Sequence, residues 1–179
     1  MREDKITAMR RIVIVGCAGS GKSTLAQQLG AILKIEVVHL DALYWKPNWA
    51  KTPESEWQET VTALLEKELW ILDGNFSSSR KVRFDAADTI IFLDFPRYLC
   101  LSRIIRRRFQ FRSQDRLDRA KGCPEQLNSY LLKHIWSFPS RLRPTLIRDV
   151  SEYSVKRKVI VLRSPSQIRK FLTSLETGK

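Results

Sequence analysis

Long apolar runs are missing from this chain. None approaches the roughly 18 residues that a membrane-crossing helix needs, and the opening Met1-Arg2-Glu3-Asp4-Lys5 begins no signal-peptide apolar core. No membrane-crossing helix and no membrane partner are expected, and the cytoplasm is the expected location. Cysteine is scarce too. Cys17, Cys100 and Cys123 are odd in number, far apart and without metal-ligand spacing, which leaves them as buried or incidental thiols. No internal repeat or low-complexity segment is present. Acidic residues are in short supply: 19 Asp and Glu stand against 32 Lys and Arg, a net charge of +13. Such a chain attracts polyanions, so nucleotides, nucleic acid and acidic surfaces all qualify as partners. Much of the excess is focused between Arg97 and Arg119.

What is present is the patterning of a globular domain. The 179 residues suffice for one domain with a substantial core, taken as 1–179. Five short apolar runs read as strands: Ile12–Val15, Ile35–Leu40, Leu69–Leu72, Thr89–Leu93 and Lys158–Leu162. None alternates cleanly with polar residues, as expected when helices cover both faces of a parallel sheet. Helical patterns lie between them. Leu25, Leu29, Ile32 and Leu33 share a face. Trp57, Val61, Leu64 and Leu65 follow a Thr52-Pro53 start, and Ile168, Phe171, Leu172 and Leu175 follow Ser164-Pro165, where Gln167 completes a capping box. Further helices follow Pro96 and Pro124. The β-α-β-α order predicts an α/β fold with a five-stranded parallel sheet and helices on both faces. Ligands of such sheets bind beyond the carboxyl ends of the strands.

Directly after the first strand stands Gly16-Cys17-Ala18-Gly19-Ser20-Gly21-Lys22-Ser23, which fills every fixed position of the phosphate-binding P-loop pattern. Its glycines let backbone N–H groups converge on one point, and the following helix adds its positive end. Lys22 supplies a point charge to the β- and γ-phosphates. The Ser23 hydroxyl is placed to ligate Mg²⁺. Gly16, Gly19, Ser20, Gly21, Lys22, Ser23 and Thr24 form the candidate ATP-binding set. The strand before and amphipathic helix after are the context the motif requires.

Carboxylates at strand ends come next. Asp73, before Gly74, is the candidate for the magnesium shell. Asp41 either orients or deprotonates an acceptor hydroxyl or joins that shell, unless it is an exposed turn aspartate. Asp94, before Phe95-Pro96, reads as a helix cap. His39 and His134 read as packed rather than catalytic.

From Arg97 to Lys121 the chain is densely basic. It reads as an arginine-bearing lid, an insert at about 106–122, that covers the charge of a transferring phosphoryl group and excludes water. The alternative is a solvated basic face that meets nucleic acid. Arg103 and Arg107 share a helix face, and Arg112 and Arg116 fall in the flap. On the acceptor side, Tyr44-Trp45-Lys46-Pro47-Asn48-Trp49 form an irregular loop whose rings, Trp45 among them, either stack on a base or cluster under the loop. Arg80 and Arg83 either hold an anionic acceptor or pair with Asp85 or Asp88.

The P-loop, His39-Leu40-Asp41, Tyr44–Trp49, Trp70–Phe76, Ala87-Asp88, Phe92–Arg97, Gly122–Glu125 and Trp136–Pro139 together resemble the DNA topology modulation proteins, which look like members of the adenylate-kinase-like P-loop kinases. The resemblance covers nearly the whole chain. It implies a nucleoside-monophosphate-kinase-like fold using ATP and Mg²⁺ with an arginine lid. Lys22, Ser23 and Asp73 then take the triphosphate and magnesium roles, and Asp41 faces the acceptor. One departure stands out: where adenylate kinases follow Asp-Gly with Phe-Pro-Arg, this chain has Asn75-Phe76-Ser77. No tyrosine sits in a strand-cleaving context. The expectation is an ATP-dependent kinase of a nucleotide, nucleoside or other small acceptor. The alternatives are a nucleic-acid-associated ATP-binding protein and a polynucleotide 5′-hydroxyl kinase.

Overall fold

The computed structural model describes residues 9–110, 123 and 129–177. Its centre is a parallel sheet built from β1 (Arg11–Gly16), β2 (Val37–His39), β5 (Trp70–Asp73), β6 (Thr89–Leu93) and β7 (Lys158–Leu162). The spatial order is β2-β5-β1-β6-β7. The P-loop strand β1 is therefore central, with Ile14 beside Asp73 on one flank and Gly16 beside Leu93 on the other. A separate antiparallel ribbon, β3 (Trp45–Lys46) and β4 (Ala50–Lys51), turns through Pro47–Trp49.

The unbroken apolar runs are explained by two cores. Side chains alternate along β1, so Val13 and Val15 enter one core and Ile12 and Ile14 the other. The second core is covered by α1 (Lys22–Leu33), through Leu25 and Leu29, and by α8 (Pro165–Glu176), through Leu172. The first is covered by α3 (Glu54–Leu65), α4 (Ser77–Ala86), α5 (Arg97–Gln110), α6 (Ser129–Arg141) and α7 (Arg143–Tyr153). Burying a large side chain such as Trp57 or Phe84 contributes about 2–3 kcal/mol. The short α2 (Leu40–Tyr44) leads from β2 into the ribbon.

The starts of two helices differ in detail from expectation. Ser164 caps α8 and accepts from the N–H of Gln167, but the Gln167 side chain reaches the N–H of Arg163 rather than that of the cap itself. Thr52 does not cap α3. Its hydroxyl donates to the Tyr44 carbonyl at 2.7 Å and its N–H to the same oxygen at 3.0 Å, so it closes the ribbon. The polar stretch after Gly74 is helical as α4, and α7 is a further helix ahead of β7.

Candidate functional site

The site grows from the end of β1. The loop after Val15 is pinned beneath α5. A methyl group on Gly19 would stand 2.5 Å from the Cys100 carbonyl oxygen and 2.8 Å from Ile104, and its φ is +80°. Only glycine satisfies both conditions. Gly21 caps α1 in the left-handed region, at φ 97°. Arg103 of α5 donates to the Ser20 carbonyl at 2.8 Å, and its guanidinium lies over the Phe95 ring. Lys22 Nζ donates to the carbonyls of Gly16 (3.1 Å) and Cys17 (3.2 Å), the two oxygens at the mouth of its own loop. Ser20 shapes the loop more than it offers contacts: its N–H goes to the Cys17 carbonyl and its hydroxyl is buried. Cys17 and Cys100 are fully buried reduced thiols. The hydrogen bond to Cys100, and burial, push the Cys17 pKa far up, so it stays protonated.

Asn75, which sequence reasoning passed over, locks this loop from the side. Its Oδ1 accepts from the Gly16 N–H at 3.0 Å and its Nδ2 donates to the Gly16 carbonyl at 2.9 Å. One amide thus pairs with both polar groups of the first P-loop residue. The segment bearing Asn75 is itself held by Arg83. That guanidinium is fully buried and donates to the carbonyls of Gly74 (3.0 Å), Asn75 (2.8 Å) and Phe76 (2.9 Å), and to Ser79. Burial, then the charge of Arg80, pushes its pKa down to about 9, and it remains protonated at neutral pH.

These contacts overturn three expectations. Arg83 is not an acceptor ligand but a brace for the backbone that carries Asn75. Arg80 pairs with Asp149 of α7 at 2.8 Å, both largely buried, and is likewise spent on the fold. Asp94 caps no helix; it takes a bidentate pair from Arg143 at 2.6 and 2.9 Å. Asp88 and Asp85 serve other partners: Asp88 accepts from the N–H groups of Arg10 and Arg11, and Asp85 from Lys81.

A cavity of about 1000 Å³ opens over the P-loop. Along one side run Gly19, Ser20, Gly21, Lys22, Ser23 and Thr24. Arg103 and Arg107 of α5 border it, as their shared helix face requires. Asp41, Trp45, Trp49, Lys51, Asn75 and Phe76 also line it. A third wall comes from Tyr130, Leu131 and His134 of α6 with Pro165, Ile168 and Arg169 of α8. His134 is therefore not core; it is half-buried on the cavity wall, stacked on Tyr130. Burial, followed by the charges of Lys22 and Arg141, holds its pKa below the usual histidine range. Arg112 and Arg116 lie outside the described residues, as does most of the basic insert.

Asp73 is buried, and its Oδ1 meets His39 Nδ1 at 2.7 Å. His39 is thus packed, as expected, but against a carboxylate. Among the described residues no cluster of three His, Cys, Asp or Glu side chains could hold a metal by itself. Magnesium is bound chiefly by phosphate oxygens and water with one or two protein oxygens. A hydroxyl on the cavity wall (Ser23) and an oriented carboxylate at the end of the strand beside β1 (Asp73) are of that kind.

No family model matches the sequence. Among solved structures the chain is similar to a shikimate kinase from Acinetobacter baumannii in complex with shikimate, with 18% identity, a TM-score of 0.59, and coverage of 97% of this chain and 94% of that one. It is also similar to a gluconokinase from Sinorhizobium meliloti 1021, with 14% identity, a TM-score of 0.55, and coverage of 96% and 91%. At these identities the likeness is one of fold: a five-stranded parallel sheet flanked by helices. No described helix is long and apolar enough to cross a membrane.

Proposed function

We propose that this chain is an ATP-dependent phosphotransferase that moves the γ-phosphoryl group onto an oxygen of a small molecule. The observation that carries the reading is the joining of the P-loop, two arginines and Asp41 in one cavity. At about 1000 Å³ it stands at the top of the range usual for a single ligand, so it has room for a donor and an acceptor side by side. A concave site of this kind suits a small acceptor better than a nucleic-acid strand. The kinase names of the two solved structures agree with this reading, and the family we infer is the one whose motifs the sequence carries at 39–49, 70–76 and 122–125.

In this reading Lys22 exchanges its two loop carbonyls for β- and γ-phosphate oxygens. Ser23 would hold magnesium, with Asp73 accepting from the ion's water shell, and the ion would neutralise charge on the phosphates. Arg103 and Arg107 face the charge that develops as the bond to the β-phosphate oxygen breaks. Asp41 orients the acceptor hydroxyl and takes its proton as the new P–O bond forms, leaving ADP and a phosphate ester.

Substitution of Lys22→Ala tests the assignment. ATP affinity measured by calorimetry is expected to fall by at least about tenfold, since a charge-assisted contact is lost. Undiminished affinity and turnover in that variant would remove the P-loop from the account.

A further inference from the structure

The aromatic part of the cavity lining shows what kind of acceptor it fits. Three rings form it: Trp45, Trp49 and Phe76. They are not loose. Trp45 meets Trp49 edge-on with centroids 5.6 Å apart, and Tyr44 meets Trp45 at 5.1 Å and Phe76 at 4.6 Å. Both Tyr44 and Phe76 pack on the fully buried Trp57, at 5.1 and 4.9 Å. The three half-buried rings are thus the outer members of one aromatic cluster rooted in the core. The ribbon turn adds a second sign of construction. Asn48 and Trp49 both have φ near 61°, in the left-handed region. Such backbone is costly for a bulky residue and persists where the surroundings impose it. Here it sets an indole on the cavity wall.

Among the described residues, the lining neighbours of these rings in the chain offer few polar groups. The Asn75 amide is already paired with Gly16. Asp41 and Lys51 are the charged side chains. Recognition of a polyol takes a donor or acceptor for each hydroxyl, which the described residues beside these rings do not provide. Recognition of a phosphate-bearing acceptor favours arginine forks; among the described residues the two arginines nearest these rings in sequence are engaged, Arg83 with carbonyls and Arg80 with Asp149, and the arginines that line the cavity, Arg103, Arg107 and Arg169, come from α5 and α8.

From these contacts we infer that the acceptor is a nucleoside, a flat base carrying a sugar hydroxyl and no phosphate. The base stacks on the Trp45–Trp49–Phe76 wall while a ribose hydroxyl meets Asp41. The hydroxyl oxygen attacks the γ-phosphorus, its proton passes to Asp41, and the products are ADP and a nucleoside monophosphate. This inference rests on the phosphotransferase reading above and names its substrate class.

The test is a panel of nucleosides, nucleoside monophosphates, and hexoses or hydroxy acids, scored for phosphate ester formed from ATP and Mg²⁺. A parallel titration of each compound without ATP follows tryptophan fluorescence. Nucleosides are expected to be phosphorylated and to quench saturably. Trp49→Ala is expected to raise the nucleoside KM about ten- to hundredfold, with the KM for ATP little changed, and Trp49→Phe to restore much of the loss. Trp45→Ala supplies the same readout should Trp49→Ala fail to fold. Transfer to monophosphates, sugars or hydroxy acids with nucleosides inert overturns the substrate class and leaves the kinase reading standing. A nucleoside KM unmoved in both tryptophan variants also overturns it. Transfer to no class at all overturns both.

Discussion

Asn75 carries the clearest consequence of a single side chain. Its amide is donor and acceptor at once, and Gly16 uses both faces. Asn75→Ala removes two hydrogen bonds, a loss of about 1–3 kcal/mol, part of which falls on the phosphate loop. Asn75→Asp is nearly isosteric yet keeps only the acceptor and sets a carboxylate oxygen against the Gly16 carbonyl. We therefore expect ATP affinity, measured by calorimetry, to fall in both variants and further in Asn75→Asp. Equal affinity in the aspartate variant would show that the amide does not hold the loop. The sequence showed the fixed P-loop positions because glycine, lysine and serine there have one shared use. It did not reveal Asn75, nor the fates of Arg80 and Arg83. An arginine in a polar stretch looks the same whether it awaits an anion or braces three carbonyls. Its partners, Asp149 and the backbone of 74–76, are supplied only by folding.

At the scale of elements, the strands were legible because a doubly covered sheet demands continuous apolar runs. The observed β6 and β7 have the expected ends. The ribbon was not legible, since two-residue strands carry no period; its rings were seen, its geometry was not. The sequence places a helix after Pro124 and reads His134 as packed. The helix turns that residue to the cavity, where burial and nearby cations hold it neutral. The consequence for pH has a definite sign. The folded-state pKa of His134 lies below the ordinary value of about 6.5, so on acidification the unfolded chain takes up the proton first. Stability supplied by neutral His134 is present above that ordinary value and is lost as pH falls through the lowered one. Thermal melts between neutrality and mild acid are expected to show a steeper decline for the wild type than for His134→Gln. Parallel declines would mean that His134 titrates as freely in the fold as out of it.

For the whole molecule, the question set by a charge of +13 is whether it serves a nucleic acid or a small polyanion. Part of the answer is internal: Arg83, Arg80 and Arg143 are engaged with carbonyls and carboxylates of the fold, while Lys22, Arg103 and Arg107 border the cavity. In the reading proposed above, the γ-phosphoryl group leaves ATP for an organic oxygen. Following γ-labelled phosphate in the presence of Mg²⁺ and the acceptor panel tests it most directly. Label is expected in an acid-stable organic phosphate, formed by the wild type and lost in Lys22→Ala. Label found only in inorganic phosphate, or retained in ATP, would contradict it.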